Sequence, residues 1–286
     1  MHNRQHPFIL TVIQMAANLE ILMSDARRRA VQARASADMR GLEQRAAAHV
    51  PRGFRRQLNA VAATAPAVIA ELKKASPSKG IIRSTFHVGA LAFHLASAGA
   101  AALSVLTEED YFLGSLSNLL EASAATELPC LRKDFIVDPF QLLEARAHRA
   151  DAVLLIVAGL SQPELQFLYT KAKEDELDVL VEVHDEQELE RAMEIGADII
   201  GVNSRNLKTF DVDLQTSIRL SERLPANVLK VAESGIHTPH DVAMLRAAGF
   251  EAFLIGESLM RADYPGNALR ELLDAVAGAE RSGAVS

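Results

Sequence analysis

Glu71 and Lys73 stand two residues apart in the apolar run Val68-Ile69-Ala70-Glu71-Leu72-Lys73. In an extended strand that spacing puts both side chains on one face. Two further runs carry charge at the same place, Leu131-Arg132-Lys133-Asp134-Phe135 and Val179-Leu180-Val181-Glu182-Val183. An interior strand that closes on Glu or Lys loses stability unless the charge is paired or used. A lysine at a crowded, partly apolar strand end can have its pKa lowered and can donate a proton. Carboxylates beside it can pass protons or offset positive charge. Taken singly, each residue has a plainer explanation. Glu71 and Lys73 read equally as a structural ion pair, and Lys133 as a surface lysine beyond its strand. Glu182, Asn203 and Glu233 read as helix N-caps or salt-bridge partners. Taken together, all of them fall at the same end of their runs, which is how a (β/α)8 barrel assembles one site from many strand ends.

The elements that must position these groups repeat one theme from about residue 67. Apolar runs occupy Val68–Leu72, Ala102–Leu106, Leu128–Lys133, Ala152–Val157, Val179–Val183, Ile199–Asn203, Val228–Glu233 and Ala252–Ile255. Each is followed by a polar or Gly-containing loop and an amphipathic segment, at the spacing of a βα unit. Helix starts are signalled by Asp138-Pro139, by Ser161 and Glu164 at capping-box spacing, by the acids of Asp185-Glu186-Gln187-Glu188, and by Thr238-Pro239. Gly196 and Gly249 follow two helix ends. Apolar strands alternating with such helices predict a parallel sheet covered on its outside. Eight units predict a closed α/β barrel, a (β/α)8 TIM barrel, over residues 67–286. No G-x-G-x-x-G follows the first strand, which lowers the dinucleotide-binding alternative. Residues 1–66 fall outside the repeat and are expected to form a helical extension packed on the barrel. There, Pro51-Arg52-Gly53-Phe54 predicts a turn into a short helix, and Arg27, Arg28, Arg29 and Arg34 predict a solvated helical face.

The chain has 286 residues and a formal charge of −7. That balance argues against a nucleic-acid partner and leaves room for a small cationic pocket. A single cysteine, Cys130, allows no intrachain disulfide and predicts a reducing, cytoplasmic setting. The stretch Phe8–Met23 is apolar but interrupted by Gln14, Asn18 and Glu20. It is too short and polar to span a membrane and predicts an amphipathic helix, with a mis-chosen start codon as the other reading.

Three segments suit an anion. Lys74-Ala75-Ser76-Pro77-Ser78-Lys79-Gly80 is rich in hydroxyls and positive charge, although a solvated loop explains it equally. Ser234-Gly235 and Gly256-Glu257-Ser258-Leu259-Met260 follow the seventh and eighth runs, where barrels commonly bind phosphate through backbone N–H groups. His237 and His240 lack an evident third metal ligand, so no metal is expected. Cys130 reads as a buried, inert thiol.

With those residues in place, the chain resembles the indole-3-glycerol phosphate synthases of tryptophan biosynthesis. The matching segments are IAELKKASPSKG (69–80), AALSVLTE (101–108), LRKDFIVDP (131–139), LVEVHD (180–185), IGVNSRNL (200–207), AESGI (232–236) and IGESLM (255–260). The resemblance implies a barrel lyase that turns 1-(2-carboxyphenylamino)-1-deoxyribulose 5-phosphate into indole-3-glycerol phosphate with loss of CO2 and water, using no cofactor. It implies that Lys133 is the general acid and Glu182 an acid/base partner. Lys73, paired with Glu71, would hold the substrate carboxylate. Asn203 and Arg205 would orient the substrate, and Glu233 would assist electrostatically. Ser76, Ser234, Gly235, Gly256 and the backbone of Glu257 would cradle the phosphate. Phe112, Leu131 and Phe135 would wall the aromatic ring.

The chain departs from the family pattern at Ser204 and Asn206, at Arg83–Gly89, and over residues 1–50. The alternatives are another phosphate-binding barrel enzyme or a catalytically silent phosphate-binding barrel. An isomerase that uses a Cys and an Asp would need its cysteine on a different strand. The expected partner is a small phosphorylated substrate, with no nucleic acid and no membrane. The chain is expected to be a monomer or weak homodimer carrying one enzyme, with at most transient contact to other enzymes of the pathway.

Overall fold

Strands that are apolar on both faces must be covered outside by helices and filled inside by their own side chains. The computed structural model, which describes residues 19–206, 209 and 211–283, meets that demand with a closed barrel of parallel strands. The strands are β1 (Ala67–Leu72), β2 (Ala102–Leu106), β3 (Cys130–Lys133), β4 (Ala152–Ile156), β5 (Asp178–Val183), β6 (Ile199–Asn203), β7 (Leu229–Glu233) and β8 (Ala252–Ile255). Each pairs with the next, and β8 closes on β1 through Ala67↔Ala252 to Ala70↔Ile255. All eight coincide with the expected runs to within about two residues. The largest difference is at β3, which begins at Cys130 because Pro129 has no N–H to give to a ladder.

Among the described residues, three helices precede the barrel, α1 (Leu19–Ser36), α2 (Met39–Ala48) and α3 (Phe54–Ala62). The helices on its outside are α4 (Val88–Ser97), α5 (Leu116–Ala125), α6 (Pro139–Ala147), α7 (Gln162–Glu174), α8 (Glu186–Glu194), α9 (Leu214–Ser221) and α10 (Pro239–Ala247). A short α11 (Glu257–Arg261) and the long α12 (Pro265–Gly283) follow β8. The capping signals act as expected. Asp138, Ser161 and Thr238 each close a capping box with the residue three positions on, and Asp185 accepts from Glu188 N at 2.9 Å. Each box satisfies N–H groups that a helix start otherwise leaves open, and contributes about 1 kcal/mol.

Helices α1 and α3 share the barrel's core, while Leu42 and Ala46 of α2 form a separate small cluster with Phe140 and Ala147. Leu22, Met23 and Ala26 of α1 and Phe54 and Leu58 of α3 belong to the same apolar cluster as the strands. Below the barrel, where the strands begin, Arg52 forms a fork on the fully buried Asp151 carboxylate, with Nη2 to Oδ2 at 2.6 Å and Nε at 3.0 and 3.1 Å. Cys130 N donates to the same carboxylate at 2.7 Å. Burial would raise the Asp151 pKa, but hydrogen bonds from His49 and Arg52 hold it below the ordinary value. Burial pushes the Cys130 thiol up to about 12, so it is inert at neutral pH.

One expectation on α1 is corrected. Arg27, Arg28 and Arg34 are exposed, but Arg29 turns inward to the buried Glu108, at 2.8 Å, and to Asp110, at 2.6 Å. A buried carboxylate beyond β2 draws it off the solvated face. Of the amphipathic helix expected over residues 8–23, residues 8–18 lie outside the described residues, and 19–23 open α1. Leu207, the last residue of one matching segment, also lies outside them. Among the described residues, no helix is long and apolar enough to cross a membrane.

Candidate active site

Period-two alternation carries the ionisable groups to the barrel's mouth. The register pairs Leu106 with Lys133, Ile156 with Glu182, and Asn203 with Glu233, so these side chains converge inside the upper barrel. The cavity they line also receives Glu71, Lys73, Ser76, Phe112, Phe135, Arg205, Ser234, Gly235, Gly256 and Glu257. Leu131 is the one candidate that does not reach it. It is fully buried, paired with Ser104 and Ala152, one layer beneath Lys133. The apolar wall is built instead from Leu106, Phe112, Phe135, Leu154, Ile156 and Leu254. Phe112 and Phe135 tilt toward each other with ring centroids 6.3 Å apart.

Lys133 is the centre of the arrangement. Its Nζ donates to Glu233 Oε2 at 2.7 Å and to Glu182 Oε2 at 3.0 Å. Glu182 Oε1 accepts from Asn203 Nδ2 at 3.1 Å, and Asn203 Oδ1 accepts from Arg205 N at 3.0 Å. Lys73 Nζ lies 2.5 Å from Glu71 Oε1 on an oblique approach, so this contact is an ion pair without hydrogen-bond geometry. Glu71, Glu182 and Glu233 are all buried. Two glycines make the packing possible. A Cβ on Gly201 would stand 2.1 Å from Glu233 Oε1, and one on Gly256 would stand 2.4 Å from Glu71 Oε1.

The electrostatics separate groups of like type. Burial would lower the Lys133 ammonium, but Glu182, Glu233 and Glu71 outweigh it and raise its pKa. This reverses the expectation of a lowered lysine, because three carboxylates surround it where an apolar mouth was expected. Burial would raise Glu182, but Lys133 and His184 hold it well below the ordinary carboxylate range. Glu233 has Lys133 alone against burial and the Glu182 charge, and it rises to about 8. The cavity therefore offers an ammonium and two carboxyl groups whose proton affinities are pushed in opposite directions, a set suited to general acid–base work.

The loops after β7 and β8 complete the far wall. Ser234 and Gly235 both take left-handed backbone, at φ 65° and 76°. A non-glycine residue held there marks a turn that the surroundings impose. Gly256 then caps α11, and Ser76 and Ser78 face this end of the cavity from the loop after β1.

Sequence reasoning missed several participants. Glu108 lines the cavity, pairs with Arg29, and accepts from Tyr111 N at 2.7 Å and Phe112 N at 3.1 Å, which fixes the aromatic wall. The strand-end rule that found Lys133, extended two residues past β2, would have found it. His184 shares a face with Glu182 and was legible by the same period of two. Leu19 and Leu22 of α1 reach the cavity with no local signal. His237, considered only as a metal ligand, lines the cavity. Among the described residues, no group of three or more His, Cys, Asp or Glu is arranged to hold a metal ion.

Comparison with known proteins agrees with this geometry. A Streptococcus mutans crystal structure described as KGPDC superposes with TM-score 0.58 at 10% identity, covering 75% of this chain and 98% of its own, which establishes the barrel fold alone. The indole-3-glycerol phosphate synthase of Koribacter versatilis is 56% identical over 259 residues, 91% of this chain and 100% of its own length. That of Acinetobacter baumannii is 51% identical over 237 residues, 82% of this chain and 87% of its own. The family model for indole-3-glycerol phosphate synthase matches residues 19–272, from the helix that reaches over the cavity to the helix after β8. Barrel, strand-end residues and relatives thus lead to one assignment: the chain belongs to the indole-3-glycerol phosphate synthase family.

Proposed function

We propose that the mouth of this barrel converts 1-(2-carboxyphenylamino)-1-deoxyribulose 5-phosphate into indole-3-glycerol phosphate, CO2 and water. The observation that carries the proposal is Lys133, an ammonium held between two buried carboxylates on the cavity floor. In the first step, the ring carbon bearing the carboxylate attacks the ketone carbon. Charge develops on the ketone oxygen, and Lys133 stabilises it and then protonates it. Its raised pKa does not prevent this, since an alkoxide is a stronger base than an amine. Departure of CO2 restores the aromatic ring. The new hydroxyl then leaves as water while a ring proton is lost, and Glu182 receives and returns protons in this stage.

Lys73, oriented by Glu71, holds the substrate carboxylate and can also donate a proton. Asn203 and Arg205 orient the substrate, and Glu233 adjusts the charge beside Lys133. The phosphate lies against Ser76, Ser234, Gly235, Gly256 and the backbone of Glu257, and the anthranilate ring lies against Phe112 and Phe135. The described part of the extension, residues 19–66, is a cover for the barrel, the working form is a monomer or weak homodimer, and the setting is the cytoplasm.

The test is to supply that substrate to the purified protein and follow indole fluorescence. The chain contains no tryptophan and three tyrosines, so its own background is low. Indole formation is the expected result. Retained binding of inorganic phosphate without turnover would move the reading to a different barrel substrate or to a silent binding protein.

A further inference from the structure

His184 follows β5 two residues after Glu182 and has no part in the scheme above. Its ring lies between two carboxylates. Nδ1 is 2.9 Å from Glu188 Oε2, and Nε2 is 3.2 Å from Glu182 Oε1. Glu188, in the first turn of α8, also accepts from His184 N at 2.8 Å, so the ring is anchored at backbone and side chain together. Nε2 is buried and has no contact of hydrogen-bond geometry, so it meets the Glu182 oxygen as an ion-pair partner at 3.2 Å. A carboxylate oxygen can only accept, so a neutral ring would turn a bare lone pair on one of its two neighbours. The imidazolium presents an N–H and positive charge toward both, hydrogen-bonded to Glu188 and ion-paired with Glu182. Burial would lower the pKa of His184, but Glu182 and Glu188 outweigh it and raise it to about 10.

The two carboxylates on Lys133 are therefore not equivalent. Glu182 is met by Lys133 from β3, Asn203 from β6 and His184. Glu233 is met by Lys133, and its Oε1 is buried over Gly201 with no hydrogen-bond partner. Glu71 from β1 adds negative charge toward Lys133, and Asp185 is engaged in capping α8.

We propose that His184 is a positioning residue: as a cation clamped between Glu182 and Glu188, it keeps Glu182 the ionised carboxylate beside Lys133. The proposal rests on the role given above to Glu182 and adds what fixes that role. It is tested by the pH profiles of kcat and KM for wild type, His184→Gln and Glu188→Gln, together with nitrogen NMR of the wild-type ring without substrate. Glutamine at 184 can still donate to Glu182 but carries no charge. The acid limb of kcat is expected to move to higher pH by on the order of one to three units in His184→Gln. Glu188→Gln should move it less in the same direction, with KM unchanged in both. The wild-type ring should keep both N–H protons through pH 8. An unmoved acid limb in a folded His184→Gln protein, or a wild-type ring that titrates near the ordinary value of about 6.5, would overturn the proposal. If neither variant folds, the ring's own titration decides it. Absence of wild-type turnover would instead remove the reaction assignment, and the NMR result stands apart from that outcome.

Discussion

Replacing Lys133 by methionine keeps most of the side chain's shape and removes its charge, and the structure sets two magnitudes for the result. The first is kinetic. A positioned general acid contributes on the order of 10²–10⁴ in rate, or roughly 3–5 kcal/mol of barrier at about 1.4 kcal/mol per tenfold. The fall should appear in kcat, since Ser76, Lys73 and the loops after β7 and β8 still hold the substrate. The second is thermodynamic. Breaking a buried ion pair costs about 3–5 kcal/mol when the partner stays charged. Here the partners are Glu233 at 2.7 Å and Glu182 at 3.0 Å, and Glu233 is already pushed up to about 8. In the variant both carboxylates lose their ammonium and rise above their unfolded values. The native state then binds more protons than the unfolded state, so the variant's stability falls as pH rises above the ordinary glutamate range. The assay is indole formation, with urea unfolding at pH 5.5 and 8.5 alongside. The variant should be nearly inactive and lose less stability at pH 5.5 than at 8.5. An unchanged kcat would remove Lys133 from the general-acid role. A loss of stability equal at both pH values would refute the electrostatic argument.

Three further outcomes follow from the same geometry. Gly201→Ala places a methyl group 2.1 Å from Glu233 Oε1, the movable end of a side chain. The protein should fold with little change in thermal midpoint, and kcat should fall on the order of 10²-fold from a displaced carboxylate; unchanged kinetics would contradict this. Glu233→Gln removes a carboxyl whose folded pKa is raised, so it should stabilise the protein on the alkaline side of pH 8 and progressively less toward pH 5, in thermal melts, while slowing turnover on the order of 10²-fold. Asp151→Asn strips the charge from the fork made by Arg52 and should cost about 3–5 kcal/mol in urea unfolding at pH 7. Because the folded Asp151 pKa is lowered, the stability it supplies is present above its unfolded value and lost as pH falls through the folded one, so the gap between variant and wild type should close in acid.

The barrel was legible because its signals are local and repeated. Four of the apolar runs end near a cap, at Asp138, Ser161, Asp185 and Thr238, and each strand fixes by alternation which side chains face inward. The same alternation exposed Glu71, Lys73, Lys133 and Glu182 as one set. The place in the ring wall that the resemblance implied for Leu131 has the face right and the depth wrong: barrel stagger, which no single strand encodes, puts that residue a layer beneath the cavity. The direction of the Lys133 shift was missed for a related reason. Whether a lysine meets apolar walls or carboxylates depends on which neighbours β5 and β7 present at its height. The contribution of α1 was hidden for a different cause. Leu19, Leu22 and Arg29 meet Glu108 and the cavity across long sequence separations, and nothing in their own segment distinguishes them from an ordinary amphipathic face.

The central claim, that this site performs a decarboxylating ring closure, is tested most directly by quantifying products from a limiting amount of the carboxyphenylamino-deoxyribulose phosphate and the wild-type protein. The account predicts CO2 and indole-3-glycerol phosphate in equal amounts, together accounting for the substrate consumed. Intact substrate recovered from a folded protein, or CO2 released without an indole product, would contradict it.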